Sequence, residues 1–291
     1  MGLIADISEA ITDALTDWMK DLLVPAVQEQ IEGIFDSTNL QIADISTQVG
    51  KTPASWNGSV YTFIRNLSDT VVLPVAGAIL AFVMTLELIQ MVTEKNNMQD
   101  FDTWLIFKWV FRAASAILIV SNTWDIVNGI FEVAQSMVST ATDLITTTDI
   151  DPGISEATLY TLSIGSLLGL LLQCLLINIV AKVVSICVMI IVYGRMFEIY
   201  LVTSIAPIPM ATMLNKEWGS TGQNYIRSLL ALAFQGFMII VSVAIYYVLI
   251  GSLSFSEDIS AALWAALGYS VLLVFVLFKT SGLAKSVFNA H

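Results

Sequence analysis

Lys182 is a charged residue inside the longest apolar run of this sequence, the stretch from Tyr160 to Tyr193. Cys174, Asn178, Lys182 and Ser185 follow one another at spacings of four, four and three, which places them on one face of a helix. Such a face could form a polar track for ions or protons, and Gln235, in a later apolar segment, could join it. A proton relay, however, uses several acids or histidines deep in the bilayer. Here Glu87 is the deep acid, and the single histidine is His291. The simpler expectation is structural, with Glu87 neutralising Lys182 or Arg112.

No other arrangement suggests covalent chemistry. The sequence has no glycine-rich phosphate loop, no His/Cys metal cluster and no serine or cysteine nucleophile near a histidine. The expectation is therefore a protein that is not an enzyme and has no catalytic or metal-binding residues. No cofactor is expected either, with a bound phospholipid kept as an open alternative. Cys174 and Cys187 lie thirteen residues apart in one apolar stretch. On a continuous helix that is about 20 Å, too far for a disulfide.

The elements that must position these residues are membrane helices. Hydrophobic residues make up 56% of the 291 and charged residues 12%, against about 45–50% and about 25% in soluble domains. A span needs about 20 apolar residues, which places spans near 71–92, 104–120, 162–193, 229–250 and 261–278. The third exceeds what a bilayer requires, so it tilts, kinks or projects. The expected fold is all-α and polytopic.

A sixth apolar segment, 196–214, contains Pro207 and Pro209. Each proline lacks an N–H and disfavours helix in the residue before it. Broken backbone at membrane depth needs cover from protein or water, so this segment is expected to be re-entrant or interfacial. Lysine and arginine enrich cytoplasmic loops. Lys95, Lys108 and Arg112, then Arg195, Lys216 and Arg227, then Lys279 and Lys285 fall on one side only if the broken segment does not cross. The 121–157 loop has acids and no basic residue. The resulting topology has five crossings of a bacterial cytoplasmic membrane, an outer N-terminus and an inner C-terminus.

The net charge of −12 is concentrated at the N-terminus, where residues 1–50 hold nine acids and the single basic residue Lys20. That excludes direct nucleic-acid binding there and disfavours an anionic lipid surface. Ile4, Ile7, Ile11, Leu15, Trp18 and Leu22 recur at three and four among these acids, an amphipathic pattern. The pattern suits packing against copies of the same helix, the outer loop or a partner, or else against its own domain. Pro25 is expected to bend or end this helix. The expected organisation is a region 1–70 outside the membrane and a membrane domain 71–291. The outer loop is expected to be helical around Ile126, Ile130, Val133, Val138 and Leu144, then to turn at Asp151-Pro152-Gly153. Gly165 and Gly169 offer a spacing at which helices approach closely. Arg195 and Glu198 stand one turn apart as an interfacial pair.

Three polar strings occur in order: Glu94-Lys95-Asn96-Asn97 leading to Phe101-Asp102-Thr103-Trp104, YGRMFEIYLVTSIAPIPMATMLNKEWG from Tyr193 to Gly219, and FKTSGLAKSVFNAH from Phe278 to His291. Together they resemble the TrbL-like polytopic subunit of conjugative type IV secretion systems of Gram-positive mobile elements, the counterpart of the sixth VirB-type component. The resemblance implies a structural and conduit subunit, supporting transfer of relaxase-bound DNA as a homo-oligomeric ring of five copies. The implied partners are other secretion subunits and membrane lipid, with DNA only as indirect cargo. The alternative is a stand-alone channel or secondary transporter with a site at the Pro207/Pro209 break.

Overall fold

The computed structural model describes residues 2–93, 103–143, 149–215, 217–255 and 258–290, with side chains from Ile7 in the first helix and from Trp104 in the fifth. Lys95, Lys216, Leu144, His291 and the strings 94–97 and 101–102 therefore lie outside the described residues. Every regular element among the described residues is helical. The order is α1 (Gly2–Val49), α2 (Pro53–Trp56), α3 (Gly58–Leu67), a π-turn (Ser68–Val72), α4 (Leu73–Thr93), α5 (Thr103–Ser121), α6 (Thr123–Asp143), α7 (Glu156–Tyr160), α8 (Ile164–Ser204), α9 (Pro207–Thr212), α10 (Gly219–Gly251) and α11 (Ile259–Val287).

Local chemistry explains several boundaries. The hydroxyl of Thr52 accepts from Ser55 N at the start of α2, and the Asn57 side chain accepts from Val60 N at the start of α3. Ser155 does the same for α7, accepting from Thr158 N. Each satisfies an N–H that a helix start leaves without a partner. At Asp151-Pro152-Gly153, Gly153 N donates to Asp151 Oδ1, and Gly153 has φ +63°. That left-handed conformation suits a residue without a Cβ.

Among the described residues, five helices are long and apolar enough to cross a membrane: Gly58–Thr93, Trp104–Ser121, Ile164–Ser204, Gly219–Gly251 and Ile259–Val287. The chain is an all-α, multi-pass membrane protein; four of the expected spans lie inside these helices, and the third, 162–193, starts two residues before Ile164–Ser204 and ends inside it. The 41 residues of α8 extend about 60 Å at 1.5 Å per residue, twice a hydrocarbon core of about 30 Å. The helix expected around Ile126, Ile130, Val133 and Val138 is α6.

Of the two effects expected of Pro25, it does not end the helix: α1 runs through it as one 48-residue helix. The proline stands on the exposed side, while Leu23, Val24 and Val27 are buried behind it. Packing on that far side holds the helix across the missing hydrogen bond.

The chain divides into two compact units. The first comprises Met1–Ser46, Ile145–Ile190 and Val241–Phe278, and the second Thr47–Leu144, Ile191–Ile240 and Lys279–His291. In the first, Asn39 donates to Ile150 O and accepts from Ile150 N, tying α1 to the chain before α7. Phe35 and Phe255 meet edge to face, with ring centroids 5.2 Å apart. The second has a core in which Ala76, Leu80, Val83 and Met84 of α4 and Ala116 and Val120 of α5 surround Ala206, Met210 and Ala211 at α9. In lipid, dispersion and close approach hold helices together rather than expulsion from water, which suits a core so rich in alanine.

Candidate functional site

The polar residues of the spans fall into separate settings. In the second unit, Glu87 on α4 is 8% exposed and forms an ion pair with Arg112 on α5. This is one of the two pairings the sequence offered. A lone charge at such depth costs about 2.5–3.5 kcal/mol on insertion scales, so the pair neutralises a charge on each helix while joining α4 to α5. Trp109 Nε1 donates to Met84 O at 3.1 Å across the same seam. Lys108 lies over the Trp104 ring, 5.6 Å from its centroid, an aromatic and cationic edge typical of a membrane interface.

The broken segment follows from its prolines. Pro207 has no N–H, so α8 stops at Ser204 and Ala206 N donates back to Thr203 O. Pro207 then occupies the first turn of α9, where an N–H is not needed. Ala206, Pro207 and Pro209 are all buried, so protein covers the interrupted backbone as membrane depth demands. Close approach by α10 completes the cover. A Cβ on Gly222 would lie 2.7 Å from both Pro209 O and the Met213 Cβ.

Arg195 lies within electrostatic reach of Glu198 and gives its hydrogen bonds to α10. Its side chain is buried at 7% exposure, and its Nε and Nη2 approach the carbonyls of Leu232 and Ala233 on α10 at 3.4 and 3.5 Å. Gly236 leaves the space the guanidinium occupies. Arg195 is buried against α10, and Glu198 is half-buried one turn on along α8. Gln235 has its partner within the second unit. It is 5% exposed and reaches Thr280 on α11 at 3.5 Å.

In the first unit, Cys174, Asn178, Lys182 and Ser185 share one side of α8, but their cover thins along the helix. Cys174 is buried, Asn178 half-buried, and Lys182 and Ser185 exposed. Both cysteines are free thiols. Asn178 Nδ2 donates to Gln30 Oε1 of α1 at 2.8 Å. Around that bond a groove is lined by Glu29, Glu32, Gly33 and Asp36 of α1 and by Asn178 and Lys182 of α8. The sequence analysis missed these three carboxylates as neighbours of Lys182. Their three- and four-residue spacing was visible, but the helix opposite them was not. Further along α1, Lys20 Nζ donates to Tyr160 O at 2.7 Å, and Tyr160 OH donates to Asp21 at 3.0 Å. The hydrogen bond to Asp21 raises the Tyr160 phenol above its ordinary value, with desolvation adding to the rise.

Gly165 and Gly169 sit on an exposed side of α8. A Cβ at Gly165 would meet only Ser163 Oγ, at 3.9 Å, and one at Gly169 nothing within 4 Å. Ile7, Ile11, Leu15, Trp18 and Leu22 are 52–64% exposed, so their own chain does not cover the apolar stripe of α1. The side chain of Ile4 lies outside the described residues.

A family model described as TrbL/VirB6 plasmid conjugal transfer like protein matches residues 38–207, more than half of the chain. No curated protein and no solved structure matches it. The matched stretch contains the Glu87–Arg112 pair, the face of Lys182 and the Pro207 break, and the chain belongs to the TrbL/VirB6 plasmid conjugal transfer-like family.

Proposed function

We propose that this protein is the structural and conduit subunit of a conjugative type IV secretion machine of a Gram-positive mobile element. It works as a homo-oligomeric ring, read as five copies, and supports transfer of relaxase-bound DNA across the envelope. Family membership carries the reading. Within the chain it is supported by the uncovered apolar stripe of α1, which a solitary unit would leave in water. Gly165 and Gly169, open on α8, supply a second face for close helix approach. The partners are further copies, other secretion subunits and lipid, and DNA is cargo.

The protein resides in the bacterial cytoplasmic membrane with its N-terminus outside and its C-terminus in the cytoplasm, an orientation supported by its basic residues. We assign it no catalytic step and no cofactor, and a phospholipid remains the one small molecule its surroundings would supply. Deleting the gene should abolish mating, and the intact gene should restore it. Particle size in detergent should correspond to several copies, and a cysteine at Asp143 should label from outside cells while one at Lys285 should not. Normal mating without the gene, together with solute uptake by the purified protein in vesicles, would establish the transporter alternative.

A further inference from the structure

The exposed side of α1 is one continuous strip that changes character halfway. Ile7, Ile11, Leu15, Trp18 and Leu22 are exposed, and the exposed positions continue through Pro25, Glu29, Glu32, Asp36 and Leu40 at the same three- and four-residue steps. At about 100° per residue, Glu29, Gly33, Asp36 and Leu40 fall in the same arc of about 80° as the apolar stripe. The other side of the helix changes in the opposite sense. Glu9, Asp13 and Asp17 occupy it in the first half, and Val24, Val27, Ile31, Ile34, Ile42 and Ile45 are buried on it in the second. Because α1 is unbroken from Gly2 to Val49, whatever direction the apolar stripe faces, Glu29 and Asp36 face it too.

The lower part of that strip lies beside a membrane span. Gln30 is hydrogen-bonded to Asn178, and Glu29, Glu32 and Asp36 share the groove with Lys182. Three carboxylates cannot face hydrocarbon beside α8, since each would cost about 2.5–3.5 kcal/mol. Water must therefore reach this face. The upper part suits a second copy of the same helix. Ser8, Thr12 and Met19 flank the stripe on one side, and Ala10, Ala14 and Asp21, the last accepting from Tyr160 OH, on the other. About a shared axis the uncharged flank of one copy meets the Asp21 flank of the next, so identical helices can meet without opposed like charges, while Glu9, Asp13 and Asp17 point away from the axis.

We propose that copies of α1 associate through Ile7, Ile11, Leu15, Trp18 and Leu22 about a shared axis, and that this turns Glu29, Glu32, Asp36 and Lys182 of every copy onto a water-filled passage below. Three acids and one lysine per copy make the passage attractive to cations and repellent to bare nucleic-acid phosphate. DNA on this axis would travel sheathed in protein. The inference rests on the homo-oligomer reading and adds which face lies inward.

Full-length protein carrying Cys174→Ser and Cys187→Ser, in native membranes, provides the test. Ile11→Cys and Leu15→Cys should cross-link between copies under mild oxidation, and Asp13→Cys should not. The ratio of the Asp36→Cys rates with a cationic and an anionic methanethiosulfonate should exceed, by at least about tenfold, the ratio the same two reagents show with a small free thiol in solution, because the neighbouring carboxylates concentrate cations. An oligomer that cross-links through Asp13→Cys and not through Ile11→Cys would overturn the inference and leave the oligomer standing, as would an Asp36→Cys that is inert or shows a ratio no higher than the free thiol's. A particle of one copy would overturn the assembly reading itself.

Discussion

The guanidinium of Arg195 fills the place where a side chain on Gly236 would begin, its Nη2 only 2.7 Å from where that Cβ would stand. A cation on α8 and the absence of a side chain on α10 are thus one feature. Gly236→Ala should displace the guanidinium from the carbonyls of Leu232 and Ala233, costing about 1–3 kcal/mol as overpacking does. Combining it with Arg195→Met should cost less than the sum of the single changes, because the two sites are in contact. Thermal melting of the four proteins in detergent measures this coupling, and strict additivity would contradict it.

Gly222 should be less tolerant than Gly236. A Cβ there meets the Pro209 carbonyl and Met213 main-chain and Cβ atoms, and these cannot rotate aside as a guanidinium can. Gly222→Ala should therefore lower the melting temperature more than Gly236→Ala, with the first protease cuts appearing near α9. Equal melting of the two variants would argue against the tight approach.

Glu87 and Arg112 should behave as one unit. Glu87→Leu leaves a cation without its partner, and Arg112→Leu leaves a buried carboxylate. Each should cost about 1–3 kcal/mol, the range for a hydrogen bond to a charged group, since Arg112 is partly exposed. Glu87→Leu with Arg112→Leu together should recover most of the loss, as buried pairs replaced by apolar residues commonly do. Yield of folded protein after extraction and melting temperature are the readouts.

The Tyr160 phenol reports the contact between α1 and α7. Asp21 accepts its hydrogen bond and raises its pKa above the ordinary 10.0. The protonated form is therefore favoured in the folded state. The stabilisation is fully present below the unfolded value and is lost as pH rises through the folded one. Ultraviolet difference titration between the parent and Tyr160→Phe should show a phenol ionising above the ordinary value, and Asp21→Asn should bring it down. An unchanged curve in Asp21→Asn would remove Asp21 as the cause.

Much of the fold was legible because lipid reads composition directly. Each expected span coincides, to within two residues at its start, with part of a long apolar helix, and the prolines at 207 and 209 marked the break of α8 because a missing N–H acts on its own turn. Pro25 shows the limit of that reasoning. The same chemistry was overridden where Leu23, Val24 and Val27 packed behind it. Polar partners were less legible still. Glu87 took Arg112 rather than Lys182, Arg195 gave its hydrogen bonds to α10, and Gln235 went to Thr280.

By itself, the sequence determined that this chain lives in a bilayer, where its helices run and which residues need protection from lipid, because hydropathy and helical period are carried by neighbours within one segment. Only the tertiary structure decided which distant group protects each of them, and that the two halves of α1 present opposite characters on one exposed strip. Helix crossings set those choices, since an ion pair or a glycine gap exists only where two helices, remote in sequence, come within a few ångströms.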